Sequence, residues 1–293
     1  MNIYLMNHIN HRQASTAIGL IASYWRKFSA LLPLWLVLVA TTTVMASHAQ
    51  AKADFVAIHS LQPVVVDAND SDTVWQQATW YPLDKHMIGD VPLPEDFSGR
   101  FKLAWDADYL YLLVELQDDV LFDQHPDPLY KYWDDDALEI FIDEDASGGD
   151  HLYNYNAFAY HIALDHQAID IGGKTSDGGN EFVALNSHIN SAWQRQQRQG
   201  SPIIWEVAME IHDDSFHHNV VSAANARSRV TLNVGKQLGF MLAYCDNDGS
   251  KEREHFLGST EITPVNGDKN LGYKTADVFG KLLLVSAPAM IER

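Results

Sequence analysis

The residue types with the most chemistry in them gather in one stretch. Trp133-Asp134-Asp135-Asp136-Ala137-Leu138-Glu139-Ile140-Phe141-Ile142-Asp143 is an aromatic and acidic loop that runs straight into an apolar alternation. Alternate side chains of an extended segment share a face, so Leu138, Ile140 and Ile142 are expected on one side and Glu139 with Phe141 on the other. With the first set in the core, Glu139 projects from the opposite face beside an aromatic. A carboxylate placed there accepts two hydroxyl hydrogens, and an aromatic ring offers a flat apolar surface to the C–H face of a pyranose. The competing reading is a solvated strand carboxylate and a loop-packing Trp133, since exposed carboxylates are routine.

Other reactive types carry weaker patterns. Paired carboxylates serve glycosidases, but Asp136 and Glu139 are three apart on an extended segment and point to opposite faces. The 14 histidines include His217-His218 and the pair His161 and His166, none in transition-metal ligand spacing. The single cysteine, Cys245, has no internal disulfide partner and sits in an apolar run, as a small core residue does. Lys251, Arg253 and His255 are either hydrogen-bond donors to a nearby ligand or a solvated charge cluster.

These residues must be held by strands. Segments rich in aromatic and β-branched residues recur at Val64 to Val66, Gly99 to Trp105, Leu110 to Leu116, Ala137 to Ile142, Ala157 to Leu164, Ile203 to Ile211, Leu238 to Tyr244 and Phe279 to Val285. Turn residues separate them and no long helical period intervenes, which predicts an all-β chain: a two-sheet antiparallel β-sandwich of immunoglobulin-like or jelly-roll type. In Trp205-Glu206-Val207-Ala208-Met209-Glu210-Ile211 the alternation predicts a half-buried strand with Glu206 and Glu210 facing out. Asp106-Ala107-Asp108 predicts a tight turn, and Gly148-Gly149, Gly172-Gly173 and Gly178-Gly179 mark loops.

Residues 1 to 51 are compositionally separate. They carry Arg12, Arg26 and Lys27 and no acid, then an apolar run from Leu31 to Met45, then Ala49-Gln50-Ala51. That order predicts a cleaved signal peptide over 1–51 and an exported, periplasmic or secreted domain over 52–293. A membrane anchor fits less well, because the run falls short of the roughly 20 residues that span a bilayer and Pro33 interrupts its start. The domain then holds 17 basic against 39 acidic residues, a net of −22. Such a surface excludes nucleic acid as a partner and suits neutral ligands.

The order Val66-Asp67, Asp72 and Trp75, then Leu103-Ala104-Trp105-Asp106 with Tyr109-Leu110-Tyr111, then Asp136 through Asp143, resembles the family 9 carbohydrate-binding module. Trp205-Glu206-Val207-Ala208-Met209, Leu238-Gly239-Phe240 and Phe279-Gly280-Lys281-Leu282 continue the same order over nearly all of the chain after residue 52. The resemblance implies a sandwich that binds a mono-, oligo- or polysaccharide between two aromatic rings and breaks no bond. By position, Trp133 and Tyr273 resemble the two rings, Glu139 the carboxylate on the sugar hydroxyls and Asn270 the neighbouring amide. Where the family has Arg and then Asn on the next strand, this chain has Ala159 and His161. The second ring is Tyr rather than Trp. The resemblance requires no cofactor but implies structural calcium, for which Asp118-Asp119, Asp143 to Asp145 and Asp246 to Asp248 offer hard oxygen ligands. No segment matches a full calcium-loop motif. Related sandwich domains hold haem b instead, with Met87, Met209 and Met241 as the axial candidates here. A role as an accessory part of a glycoside hydrolase system is the other alternative.

Overall fold

The computed structural model describes residues 52–195, 201–220 and 225–287, so the expected leader over 1–51 lies outside the described residues. Among the described residues, strands β1 (Phe55–His59), β2 (Tyr81–Leu83), β3 (Lys85–Ile88), β4 (Phe97–Trp105) and β5 (Leu110–Asp118) precede the acidic loop. After it come β6 (Ala137–Asp143), β7 (Phe158–Ala163), β8 (Ala168–Lys174), β9 (Asn180–Ala184), β10 (Ile189–Arg195), β11 (Ile203–Met209), β12 (Gln237–Asp246), β13 (His255–Gly258) and β14 (Gly280–Val285). A short helix, α1 (Thr73–Gln77), follows β1. No helix among them is long and apolar enough to cross a membrane.

The alternation read in the sequence places the two layers. One runs β10-β11-β5-β4 and the other β14-β12-β6-β7-β8-β9. Leu112, Val114, Trp205 and Val207 from the first layer meet Leu138, Ile140, Tyr160, Phe240 and Leu242 from the second in one buried core. Every pairing is antiparallel except those of β1, which runs parallel to both β4 and β14. β1 thereby joins the two layers of the sandwich into a single curled, hydrogen-bonded sheet. Asp106 makes the predicted turn before β5, its Oδ1 accepting from the amides of Asp108 at 2.8 Å and Tyr109 at 2.9 Å.

Four expectations are corrected. Val64 to Val66 is not a strand: the amide of Val65 donates to Asp72 Oδ2 at 3.1 Å, so a side chain takes the place of a neighbouring strand. Gly172-Gly173 is not a loop but an irregularity inside β8, where the register against β9 shifts. A Cβ at Gly172 would lie 2.6 Å from Val183 Cγ2 and 2.8 Å from His218 Cε1, so the close approach requires glycine. Glu206 does lie on the face opposite Trp205, yet it is buried, because α1 and the segment before it cover that face. Its carboxylate accepts from Trp75 Nε1 at 2.8 Å and from the amides of Asp67 at 2.9 Å and Asn69 at 3.3 Å. Finally, the three methionines are packing residues rather than axial ligands. Met209 fills the central core, and Met87 and Met241 pack with Phe141 on the outer face of the second layer.

Candidate functional site

The outer face of β6 and β7 carries the chemistry. Leu138, Ile140 and Ile142 do turn into the core, which sends Glu139 and Phe141 outward. Register sets Glu139 directly opposite His161 on β7 and Ala243 on β12, and Cys245 follows two residues along β12 on the same face. The loop before β6 closes in a tight 3-10 turn, Tyr132–Asp134, that brings Trp133 to the rim. The segment between β13 and β14 contributes Asn270 and Tyr273. Trp133, Glu139, His161, Asn270 and Tyr273 therefore line one pocket of about 200 Å³.

At its base, one carboxylate oxygen is held from three directions. Glu139 Oε1 lies 3.3 Å from His161 Nδ1 and accepts from Cys245 Sγ at 3.1 Å and Arg253 Nη1 at 3.2 Å. Burial pushes the Glu139 carboxyl up, but the His161 hydrogen bond and the Arg253 charge outweigh it and hold the group below the usual carboxylate range. The buried thiol of Cys245 moves the other way, well above its ordinary value, through burial and the adjacent carboxylate. It is a fixed donor, not a nucleophile. His161 Nε2 is buried with no hydrogen-bond partner among the described residues. The opposite oxygen of Glu139 takes none of these bonds and, with the side chains of Asn270 and Tyr273 in the same pocket, is left for a ligand.

Sequence reading did not single out Tyr132, Asp170, Asn180 and Phe182, which complete the wall. Phe182 packs against Tyr132 and Trp133 at ring distances of 5.2 and 5.7 Å, fixing the aromatic rim. Asp170 is buried and pushed up to about 7 by that burial, although the amides of Ile171 and Ala159 donate to it. A lone acid between Ile169 and Ile171 was the signal available in the sequence. Arg253 departs from the solvated-cluster reading. Its side chain is only 9% exposed, stacks over Phe256 at 4.1 Å and donates to Cys245 Sγ at 2.9 Å. Lys251 stays exposed, and His255 lies 3.4 Å from Asp96, away from the pocket.

A family model described as carbohydrate family 9 binding domain-like matches residues 66–287. The chain belongs to this family. Two solved family 9 carbohydrate-binding modules from Caldicellulosiruptor kristjanssonii share the fold of this family 9 domain. The one in complex with cellotriose is 15% identical with a TM-score of 0.54, over 82% of this chain and 98% of the other. The one in complex with glucose is 16% identical with a TM-score of 0.54, over 81% and 100%. In sequence, endo-1,4-beta-xylanase A of Thermotoga maritima is 24% identical over 161 residues, 46% of this chain. The match spans 14% of the xylanase's length.

The family 9 domain also gathers acids next to the pocket. Asp118, Asp136 and Asp246, all buried, bring oxygens within 4.8 Å of one another, and so do Asp96, Asp119 and Asp248. Burial and mutual repulsion push Asp136 up to about 9, Asp246 to about 8, and Asp118 and Asp248 to about 6. Asp118 Oδ1, Asp246 Oδ2 and Asp248 Oδ1 are buried atoms with no hydrogen-bond partner among the described residues. This donor set fits a hard divalent cation such as Ca2+. Asp143 to Asp145 stands apart: Asp143 Oδ2 accepts from the Gly148 amide at 2.8 Å and shapes the loop after β6.

Proposed function

We propose that this domain binds a neutral saccharide in the pocket around Glu139 and breaks no bond. Convergence carries the reading. Trp133, Glu139, His161, Arg253, Asn270 and Tyr273 come from five separate segments, yet line one concave site with two aromatic rings and a carboxylate fixed in its charged state. Trp133 and Tyr273 stack on the sugar's apolar face, while Glu139 and Asn270 orient its hydroxyls. Arg253, arriving from the β12–β13 connection, stands in for the arginine expected on β7, where Ala159 lines the wall instead. The cellotriose and glucose held by the two similar structures make gluco-oligosaccharides the first ligands to try. Isothermal titration against a glycan panel tests this: saturable binding is expected for at least one gluco-configured sugar, and no binding across the panel overturns the reading.

The likeness to part of a xylanase supports use beside glycoside hydrolases, capturing polysaccharide outside the cytoplasm. Export follows from the leader-like order of residues 1 to 51. Exported protein is expected to begin close to Lys52, and an intact Met1 on membrane-bound material, seen by mass spectrometry, removes the idea. Structural Ca2+ is the third part of the proposal. Asp118, Asp136 and Asp246, with Asp96, Asp119 and Asp248 beside them, would hold the ion, which would neutralise carboxylates that otherwise repel one another.

A further inference from the structure

Beside the buried acids stands an imidazole. Asp246, the last residue of β12, and His255, the first of β13, are direct partners across that antiparallel pair, so their side chains share a face. Two residues along each strand, Tyr244 and Leu257 turn into the core from the same face, which aims Asp246 and His255 between the two layers at one end of the sandwich. From the other layer comes Asp96, immediately before β4. One ligand atom from each of Asp96, Asp246 and His255 lies within 4.8 Å of the others, and His255 Nε2 is 3.4 Å from Asp96 Oδ2. Gly89, at the end of β3, lets the ring sit there. A Cβ at Gly89 would lie 1.9 Å from the Glu254 carbonyl oxygen and 3.0 Å from His255 Nδ1, so only glycine lets β3 close on this end of β13.

We infer that Asp96, Asp246 and His255 form a separate site for a borderline divalent cation such as Zn2+, which ties the two layers together beside the all-oxygen set proposed for Ca2+. The inference stands apart from the saccharide reading. Asp246 is only 1% exposed, and its Oδ2 has no hydrogen-bond partner among the described residues. A buried carboxylate oxygen without a donor is costly unless a cation meets it. The charges that act most strongly on Asp246 are those of Asp118, Asp248, Asp96 and Glu254, all negative. A plain ion pair of His255 with Asp96 would satisfy those two groups and leave Asp246 Oδ2 as it is, whereas one cation serves all three. Donor type sets the class of ion: Ca2+ takes oxygen ligands, while an imidazole beside carboxylates suits Zn2+. The spacing agrees, since two ligands each about 2.1 Å from a tetrahedral zinc stand about 3.4 Å apart. The side chains of His255 and Asp96 are 14% and 28% exposed, which gives an ion a way in and water a fourth position.

Titration of the chelator-treated full chain with Zn2+ in excess Ca2+ tests the inference, read by calorimetry and thermal melts, with Co2+ as a coloured substitute for Zn2+. A single equivalent of Zn2+ is expected to bind despite the Ca2+ and to raise the melting temperature, and Co2+ is expected to give a visible absorption band. His255→Gln is expected to weaken Zn2+ binding by at least the about 10–100-fold that loss of a ligand's outer support costs, and to abolish the Co2+ band. The same variant is expected to keep its thermal response to Ca2+, which shows that it is folded. If His255→Gln does not fold, Asp96→Asn, at the more exposed edge, is expected to weaken Zn2+ binding in its place. No Zn2+ uptake by the wild type, loss of uptake in excess Ca2+, or Zn2+ affinity unchanged in a folded variant overturns the site. Uptake of Zn2+ that depends on His255, with no response to Ca2+ in any form of the protein, overturns the Ca2+ proposal and leaves this site standing.

Discussion

Glu139 illustrates how a single side chain can be ready for a ligand before the ligand arrives. One of its oxygens is already held by His161, Cys245 and Arg253, so its orientation is settled and little rotamer freedom remains to be lost on binding. Glu139→Gln is therefore expected to weaken sugar binding by more than tenfold, because the amide replaces a charged acceptor with a neutral one and sets an N–H against the donors beneath it. Trp133→Ala and Tyr273→Ala remove stacking worth on the order of 1 kcal/mol each beyond area burial, so each is expected to cost several-fold to some tens-fold in affinity. Both rings are only partly buried, so the melting temperature is expected to move little. Titration calorimetry beside thermal melts checks the set. Unfolding by Trp133→Ala with undiminished affinity in the folded fraction marks Trp133 as a packing residue and the site as misplaced.

At the scale of elements, the outer face of β11 depends on α1 and its approach. The Glu206 carboxylate accepts three hydrogen bonds from that cap, one from the indole of Trp75 and two from the backbone at Asp67 and Asn69. Glu206→Gln keeps the shape but turns one of these contacts into donor against donor. A loss of roughly 2–3 kcal/mol is expected, the usual cost of a buried group left unsatisfied. Urea denaturation measures it, and a change under 0.5 kcal/mol would show that the cap is held by Val74 and Trp75 packing alone. The β12–β13 connection has a comparable double duty. It follows directly on Asp246, the last residue of β12, carries Asp248 of the acid cluster and delivers Arg253 to the pocket further on. Asn247 braces it, its amide nitrogen donating to the Asp134 carbonyl at 2.6 Å and its backbone amide to Asp136 Oδ1 at 2.8 Å.

Over the whole molecule, two buried polar clusters set how solution conditions act on stability. His188 and His212 stack at 4.0 Å inside the core, and burial lowers them to about 3 and about 4. Tyr160, Ser228, Glu210, Asp213 and Arg229 surround the pair. Unfolded histidine titrates near 6.5, so below that pH the unfolded chain binds more protons than the folded one. Stability is expected to be unaffected by these two groups above about pH 6.5 and to fall as pH drops toward 4, by up to about 1.4 kcal/mol per pH unit for each. Melting curves from pH 8 to 4 test the sign, and His212→Gln is expected to flatten the acid limb; an unchanged limb would remove the assignment. In the acid cluster, a bound ion adds stability by linkage, about 2.7 kcal/mol at ~100 times its Kd. Chelation is then expected to lower the melting temperature by roughly 5–10 °C without abolishing the fold. An unchanged melt in chelator, with metal analysis finding no calcium, removes the ion.

Local pattern alone sets the all-β class and the face of β6 that turns inward. Those features are local: a period of two puts Leu138, Ile140 and Ile142 on one side and Glu139 on the other whatever the rest of the chain does. The ordered family motifs supplied Tyr273 and Asn270, which no periodicity marks. Tertiary structure alone decided which charges are buried. Arg253 and Glu139 are 114 residues apart, and only the pairing of β12 with β6 brings the loop that carries Arg253 over the pocket. Glu206 alternates as a surface residue should, yet α1 covers it, and a covering layer leaves no trace in the strand that it covers. The parallel run of β1 was likewise beyond local reading, since strand direction depends on which distant edges it closes, here β4 on one side and β14 on the other.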